Sequence, residues 1–422
     1  MINERISFYQ NTITALNKSK SVLNKQISIL GWSRLVVFIT TTFAIYYCVA
    51  ELNNLHLSIL FGSILVFLFL LYVNHKLVFQ RDLLTNLIKI NENEMAVLEH
   101  RPSFFDSGIE HLDDHSYHAD LDIFGERSVF HTLNRTATLI GKERLVSLFK
   151  SPLSTVSEIK QQQASVKELS EKTLLRQHLC AIGMRSSTNP PDYSAINEWV
   201  ASPNEFTGSP KIIFLLILVP LLIIASAFYG WTIDNYWVIN FAIIINIMIA
   251  GAYTKKINNI HESVSKNLKH FTDFADMFML IEQEILTSPK LINIQGNAAK
   301  ARVQFKNLSK LGNFFDQRNN MIVGFVLNIT ILYDIHCAYR LEKWKEKNKA
   351  YLPLWLNSIA EIETLSSLGT FCFNNPSYIF PVITDQQPSL RAKDLAHPLS
   401  SGHLKGCVWQ MARCIAQTTL PP

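Results

Sequence analysis

Apolar positions recur at threes and fours along most of this chain, the spacing of helices with one buried face, and four stretches abandon that period for continuous apolar runs. Residues 35–50, 52–75, 212–233 and 235–254 contain no Asp, Glu, Lys or Arg. A bilayer core is crossed by about 20 apolar residues, so the last three runs are long enough outright. The first reaches that length by taking in Gly31, Trp32 and Arg34, because an arginine can extend its charged head to the lipid headgroups. The pattern predicts two transmembrane hairpins.

The remaining segments read as amphipathic helices and loops. Residues 1–30 place Ile6, Tyr9, Ile13, Leu16, Leu23 and Ile27 on one helical face. Two readings stay open there, a helix lying on anionic lipid and a helix continuous with the first span. Residues 76–100 keep the helical pattern until Pro102 ends it. Across 128–179, Leu133, Ala137, Ile140, Leu145 and Leu148 predict one helix, broken at Ser151-Pro152 because proline lacks the amide donor. A second helix is expected to restart behind Ser154 or Ser157, with Glu158 in its first turn. Asn189-Pro190-Pro191 and Ser202-Pro203 mark loops. Residues 255–350 are helical by pattern, with Phe271, Phe274, Met277, Phe278, Leu280 and Ile281 forming a stripe read as core. Between Arg318 and Asp334 lies one more charge-free window, too short for a span and assigned to a buried core helix. The segment 378–383, YIFPVI, reads as an edge strand, where a proline is tolerated.

Charge placement turns the apolar runs into a topology. Lys18, Lys20, Lys25 and Arg34 precede the first span, Lys76, Arg81 and Lys89 follow the second, Lys211 precedes the third, and Lys255 and Lys256 follow the fourth. The short connections between paired spans carry no Lys or Arg. The positive-inside rule then places both termini and the long middle segment in the cytoplasm. The net charge of +5 is accounted for by these flanks better than by a nucleic-acid surface. A hydrophobic content of 48% against 17% charged residues fits a membrane protein. The first thirty residues are polar and show no cleavable signal peptide. The six cysteines form no CxxC pair and no disulfide-type spacing, as expected in a reducing compartment.

Candidate chemistry is sparse. His111, Asp113, Asp114, His115 and His118 are zinc- or manganese-ligand types, but the loop lies outside any recognisable metal motif. A structural turn is the competing reading. Lys300, Arg302 and Lys306, interleaved with Phe305, are the only DNA-contact candidates, set against a solvated helix face. Trp344 and Trp355 read as packing residues rather than base-stacking platforms.

Two distant stretches carry a family resemblance. Leu133, Asn134, Thr136, Thr138, Gly141, Arg144, Leu145, Pro152, Leu153, Gln163, Val166 and Leu169 follow a pattern that resembles the opening of the core or lever domain of the MutS family of mismatch-repair proteins. The run from His115 and Tyr117 through Asp120, Leu121, Asp122, Ile123, Phe124, Gly125, Ser128 and Phe130 is similar to a segment of the membrane-anchored bacterial members. Downstream, Leu341, Glu342, Trp344, Trp355, Ile359, Glu361, Glu363, Leu365, Ser367, Leu368, Pro376, Tyr378 and Pro381 resemble the return of the lever helices. The resemblance implies a mainly α fold, with two transmembrane hairpins, a cytoplasmic helical MutS-like lever domain and a short β start of an ATPase domain. It implies a multi-pass protein of the bacterial inner (cytoplasmic) membrane. The second hairpin stands where soluble relatives carry a DNA clamp.

The segments expected on this basis are 1–100 (N-terminal helix and first hairpin), 101–210 (first half of the lever domain), 211–254 (second hairpin), 255–370 (second half) and 371–422 (the beginning of an ATPase domain and a tail). The family's ATPase domain follows an "A-x-x-L-x-H-P-L" motif, and Lys393, Asp394, Leu395, Ala396, His397, Pro398 and Leu399 match its end, with His397 read as ordering a loop. A phosphate-cradling G-x-x-x-x-G-K-(S/T) loop should come next, and neither it nor a magnesium-binding acid follows. The residues after about Ser401 are out of character, so a truncated or frame-shifted chain is expected, with ATP and magnesium belonging only to full-length relatives. The expected function is a membrane-anchored MutS-related arm without an ATP site of its own. The bilayer is its partner, and DNA contact stays open. No dimer is expected, because family dimers rely on the ATPase domain. The alternative is a membrane scaffold whose helical bundle docks a partner, and a transporter is disfavoured because the apolar runs hold scattered Asn, Thr and Pro and no Asp, Glu, Lys or Arg of the kind that marks an ion path.

Overall fold

The computed structural model describes residues 2–50, 53–112, 120–185 and 193–383. Among these residues there are fourteen α-helices and no strand. The chain divides into two compact units, the first formed by 1–136, 145–185 and 365–422 and the second by 137–144 and 186–364. Four helices are long and apolar enough to cross a membrane, the composition of a multi-pass membrane protein.

The first unit is built on a long antiparallel hairpin of α1 (Ile2–Ala50) and α2 (Asn54–Leu98). Asn53 caps α2 by accepting the amide of Leu55. The two apolar windows occupy one end of this hairpin, and their side chains are largely exposed, as lipid-facing residues are. At the other end Tyr9, Leu23, Leu87, Ile88 and Ile90 are buried. Helix α1 is continuous from the polar N-terminal region into the span, which decides between the two readings of residues 1–30 in favour of the second.

Helices α3 (Val129–Leu133), α4 (Leu139–Lys150), α5 (Val156–Glu171) and α6 (Thr173–Gly183) follow. The helix expected to run on from Leu133 is thus two. Asn134 Oδ1 accepts both the amide (2.9 Å) and the hydroxyl (2.7 Å) of Thr136, a local turn that competes with helix continuation. The helix behind Pro152 is capped by Thr155, one residue after Ser154 and two before Ser157, because Thr155 Oγ1 also reaches the Glu158 carboxylate at 2.7 Å. Ile123, Phe124, Phe130, Leu145 and Val146 close a small core with Phe149.

The second unit holds α7 (Tyr193–Ala201), the apolar pair α8 (Pro210–Ile233) and α9 (Trp237–Ser265), then α10 (Leu268–Gln283), α11 (Pro289–Asp316), α12 (Met321–Ile331) and α13 (Tyr333–Asn348). The expected stripe on α10 is core. Phe271, Phe274, Met277, Phe278 and Ile281 are buried, and the Phe305 ring of α11 lies 5.5–6.1 Å from three of these aromatic rings and 5.8 Å from Trp355. Helix α14 (Leu352–Asn374) and helix α4 each run from one unit into the other.

Two expectations fail. The charge-free window after Arg318 forms α12, yet it is no core helix: Met321 is 86% exposed, Ile322 76% and Phe325 59%, and only Gly324 is buried. It lies beside α8 and α9 rather than inside the helical body. Residues 378–383 form no strand. Ile379 and Val382 are about 90% exposed, and an edge strand needs a neighbour to pair with, which the described residues do not supply.

Candidate functional site

Within the first unit, the buried end of the hairpin contains a charged network. Following α2 at helical spacing, Leu87, Asn91, Glu94 and Leu98 share a face, so Glu94 occupies a slot where an apolar residue would pack. Its carboxylate pairs with the Arg135 guanidinium and accepts from Asn374 Nδ2 at 2.8 Å, and both charged side chains are at least nine-tenths buried. Arg135 also donates to the Asn134 carbonyl at 2.7 Å, and its amide donates to Ser367 Oγ at 3.1 Å across 232 residues of chain. Tyr9 donates to Asn374 Oδ1 at 2.7 Å, tying α1 to α14. Burial, with Glu94 nearby, holds the Tyr9 phenol far above its ordinary pKa.

Arg176 is the second buried cation. It donates to the carbonyls of Leu169 (2.7 Å) and Ser170 (3.1 Å), the open end of α5, and to the Thr370 hydroxyl. Burial lowers its pKa to about 10, and it stays protonated at neutral pH. A cavity of about 20 Å³ between Tyr9, Glu94, Arg135 and Arg176 has room for one water molecule. A wider groove of about 220 Å³ is lined by His100, Arg101, Arg127, His131 and Arg135. His131 Nδ1 accepts the Arg127 amide at 3.0 Å and Nε2 faces the Ser103 carbonyl at 2.9 Å, so the ring is held with its proton on Nε2. The same groove includes the hydroxyls of Ser103 and Thr132, which donate to Asn93 Oδ1 and to the Ser128 carbonyl, both at 3.0 Å.

Within the second unit, the carboxylate of Glu363 receives the start of α4. Its Oε1 accepts the amides of Ala137 (3.0 Å) and Thr138 (3.3 Å), and Oε2 meets the Thr138 hydroxyl. A helix N-terminus favours this placement of negative charge, because its first amides have no intrahelical acceptor. Burial still outweighs those bonds and raises the Glu363 pKa to about 7. Gly141 is required by the same contact: a Cβ there would lie 2.1 Å from Oε2 of a carboxylate already pinned by its donors. Two residues earlier on α14, Glu361 pairs with Arg144 and, at 2.8 Å, with Lys290.

A second clamp in this unit holds the approach to α8. Glu342 accepts three consecutive amides, from Glu205 (2.9 Å), Phe206 (2.7 Å) and Thr207 (3.0 Å). Lys345, one turn on, donates to the carbonyls of Trp199 (3.1 Å) and Ser202 (3.0 Å), and burial lowers its pKa. Trp344 stacks on Trp199 with ring centroids 6.5 Å apart and donates to the Gln304 carbonyl, and Trp355 is fully buried, so both tryptophans pack.

The DNA-contact candidates do not converge. Lys300 lies over the Tyr351 ring at 3.4 Å, Arg302 pairs with Glu282 at 2.9 Å, and Lys306 is exposed on α11. Asp113, Asp114, His115 and His118 lie outside the described residues, as do Tyr117, His397 and the tail. Among the described residues no group of three His, Cys, Asp or Glu side chains could hold a metal. Sequence reasoning missed Glu94, Arg176 and Lys345 as buried charges. The available signal was a lone charge at a core-facing helical position. Compared with protein families, characterised proteins and solved structures, the chain matches none.

Proposed function

We propose that this chain is a membrane-anchored MutS-related protein: a helical lever arm carried on two transmembrane hairpins, with both termini in the cytoplasm of a bacterial cell. One observation carries the reading. The residues that define the two resembling stretches, more than two hundred positions apart, are one another's partners. In the second unit Thr138 and Gly141 meet Glu363, and Arg144 meets Glu361. In the first, the Arg135 amide beside Asn134 meets Ser367. A lever domain split by an insertion requires such pairing of its halves.

The arm has a route to the membrane. Glu342 and Lys345 on α13 grip 199–207, the segment that leads into α8, so a displacement of α13 is passed to a transmembrane helix. The drive comes from elsewhere, because these 422 residues contain no G-x-x-x-x-G-K-(S/T) loop to cradle a nucleotide. The purified full chain should neither bind nor hydrolyse ATP, and a magnesium-dependent ATPase activity that copurifies with it and follows its point mutants would overturn this.

The engagement of Lys300 with Tyr351 and of Arg302 with Glu282 favours a second reading, a scaffold that never touches DNA. Retention of duplex DNA by the full chain at low salt, lost steeply as salt rises, would support the mismatch-repair reading. Absence of binding at low salt would support the scaffold.

A further inference from the structure

Helix α12 is apolar, exposed and without a charged residue, and its neighbours say what surrounds it. It packs beside α8 and α9, both candidate spans. Asn246 of α9 donates its amide hydrogens to the last-turn carbonyls of Asn328 (3.2 Å) and Ile329 (2.5 Å), closing the C-terminal end of α12. Asn246 lies nine residues, about 13 Å of helical rise, inside the Lys255–Lys256 pair that marks the cytoplasmic end of α9. The C-terminal end of α12 is therefore near the middle of the bilayer.

The Arg318 side chain bridges the two ends of the excursion. Arg318, just before α12, donates to Asn258 at 2.8 Å, on the cytoplasmic side of Lys255. Asp334, just after it, pairs with the same Arg318 at 3.2 Å. A straight span would separate these two residues by about 24 Å. Instead Leu332 adopts a left-handed conformation, φ 52°, and the chain bends by 83° into α13. At eleven residues, α12 is about 16 Å long, roughly half of a hydrocarbon core.

We propose that α12 is a re-entrant half-helix, inserted from the cytoplasmic side against α8 and α9, with its Met321, Ile322, Phe325 and Val326 face taking the acyl chains of the inner leaflet. Acyl chains fit because this face continues the exposed apolar surface of α8, where Ile217, Leu221 and Phe228 are exposed. Polar backbone ends at membrane depth are tolerated when protein groups satisfy them, and Asn246 does so. The re-entrant path also keeps the residues beyond Asp334 on the side where the flanking charges place them.

The test uses the full chain with a fluorescent amino acid introduced at Ile322, in phosphatidylcholine/phosphatidylglycerol vesicles containing lipids with nitroxide-labelled acyl chains. The same label at Phe69 of α2 serves as the membrane control and at Lys306 as the aqueous control. Quenching at Ile322 should match Phe69 and exceed Lys306 several-fold, with Met321 as a second position should the first variant fold poorly. Epitope tags at Lys306 and Lys349 should be reached from the same side of sealed vesicles. Quenching at both test positions no greater than at Lys306 would mean that water or a protein partner covers α12, and tags on opposite sides would mean a full fifth span. Either result overturns the proposal.

Discussion

Replacing Glu363 by Gln isolates one proton. The carboxyl titrates near 4.5 when unfolded and at about 7 when folded, because burial outweighs the donors from Ala137 and Thr138. Its contribution to stability is fully present below about 4.5 and is lost as pH rises through about 7, since the unfolded chain releases the proton first. The shift of two to three pKa units corresponds to a ceiling of about 3 kcal/mol. Gln keeps the shape, can accept the two amides and can donate to the Thr138 hydroxyl, and it does not titrate. Other carboxylates move the absolute stability with pH, so the quantity to measure is the difference between variant and parent. Denaturant titrations of the full chain in detergent, followed by tryptophan fluorescence at pH 5, 6, 7 and 8, should show the variant gaining on the parent by up to about 3 kcal/mol from the lowest pH to the highest. A flat difference, or a parent that gains on the variant at pH 8, would refute the reasoning.

Removing one partner of the buried pair, Glu94→Gln or Arg135→Met, should cost about 3–5 kcal/mol by leaving the other charge unpaired, while the double replacement should cost much less. A thermodynamic cycle in the same detergent checks this, and additive losses would contradict a paired site. Glu342→Ala removes the acceptor of three consecutive amides, at Glu205, Phe206 and Thr207, of which that of Phe206 is buried, and should release that segment. Protease cleavage within 199–207 should then appear at concentrations that leave the parent intact, with the far-ultraviolet helical signal preserved.

The apolar runs determined the four long helices by themselves, because crossing a bilayer depends on length and the absence of charge, both local properties. The helical period likewise marked the α10 stripe as core and Pro152 as a break. Local pattern misled where competing polar bonds were strong, as at Asn134 and Thr136, and where apolar content alone was taken for burial, as in α12 and at 378–383. Only the tertiary structure decided which charges are internal. Glu94, Arg135, Arg176, Glu342, Lys345 and Glu363 look like surface residues in sequence, and each is buried with its hydrogen bonds supplied: Glu342, Lys345 and Glu363 by backbone groups far along the chain, Arg176 by the end of its neighbouring helix and the distant Thr370, and Glu94 and Arg135 by one another, with Asn374 also donating to Glu94. Such partners lie 136 to 280 residues away for Glu342, Glu363 and Glu94, a separation that periodicity cannot register.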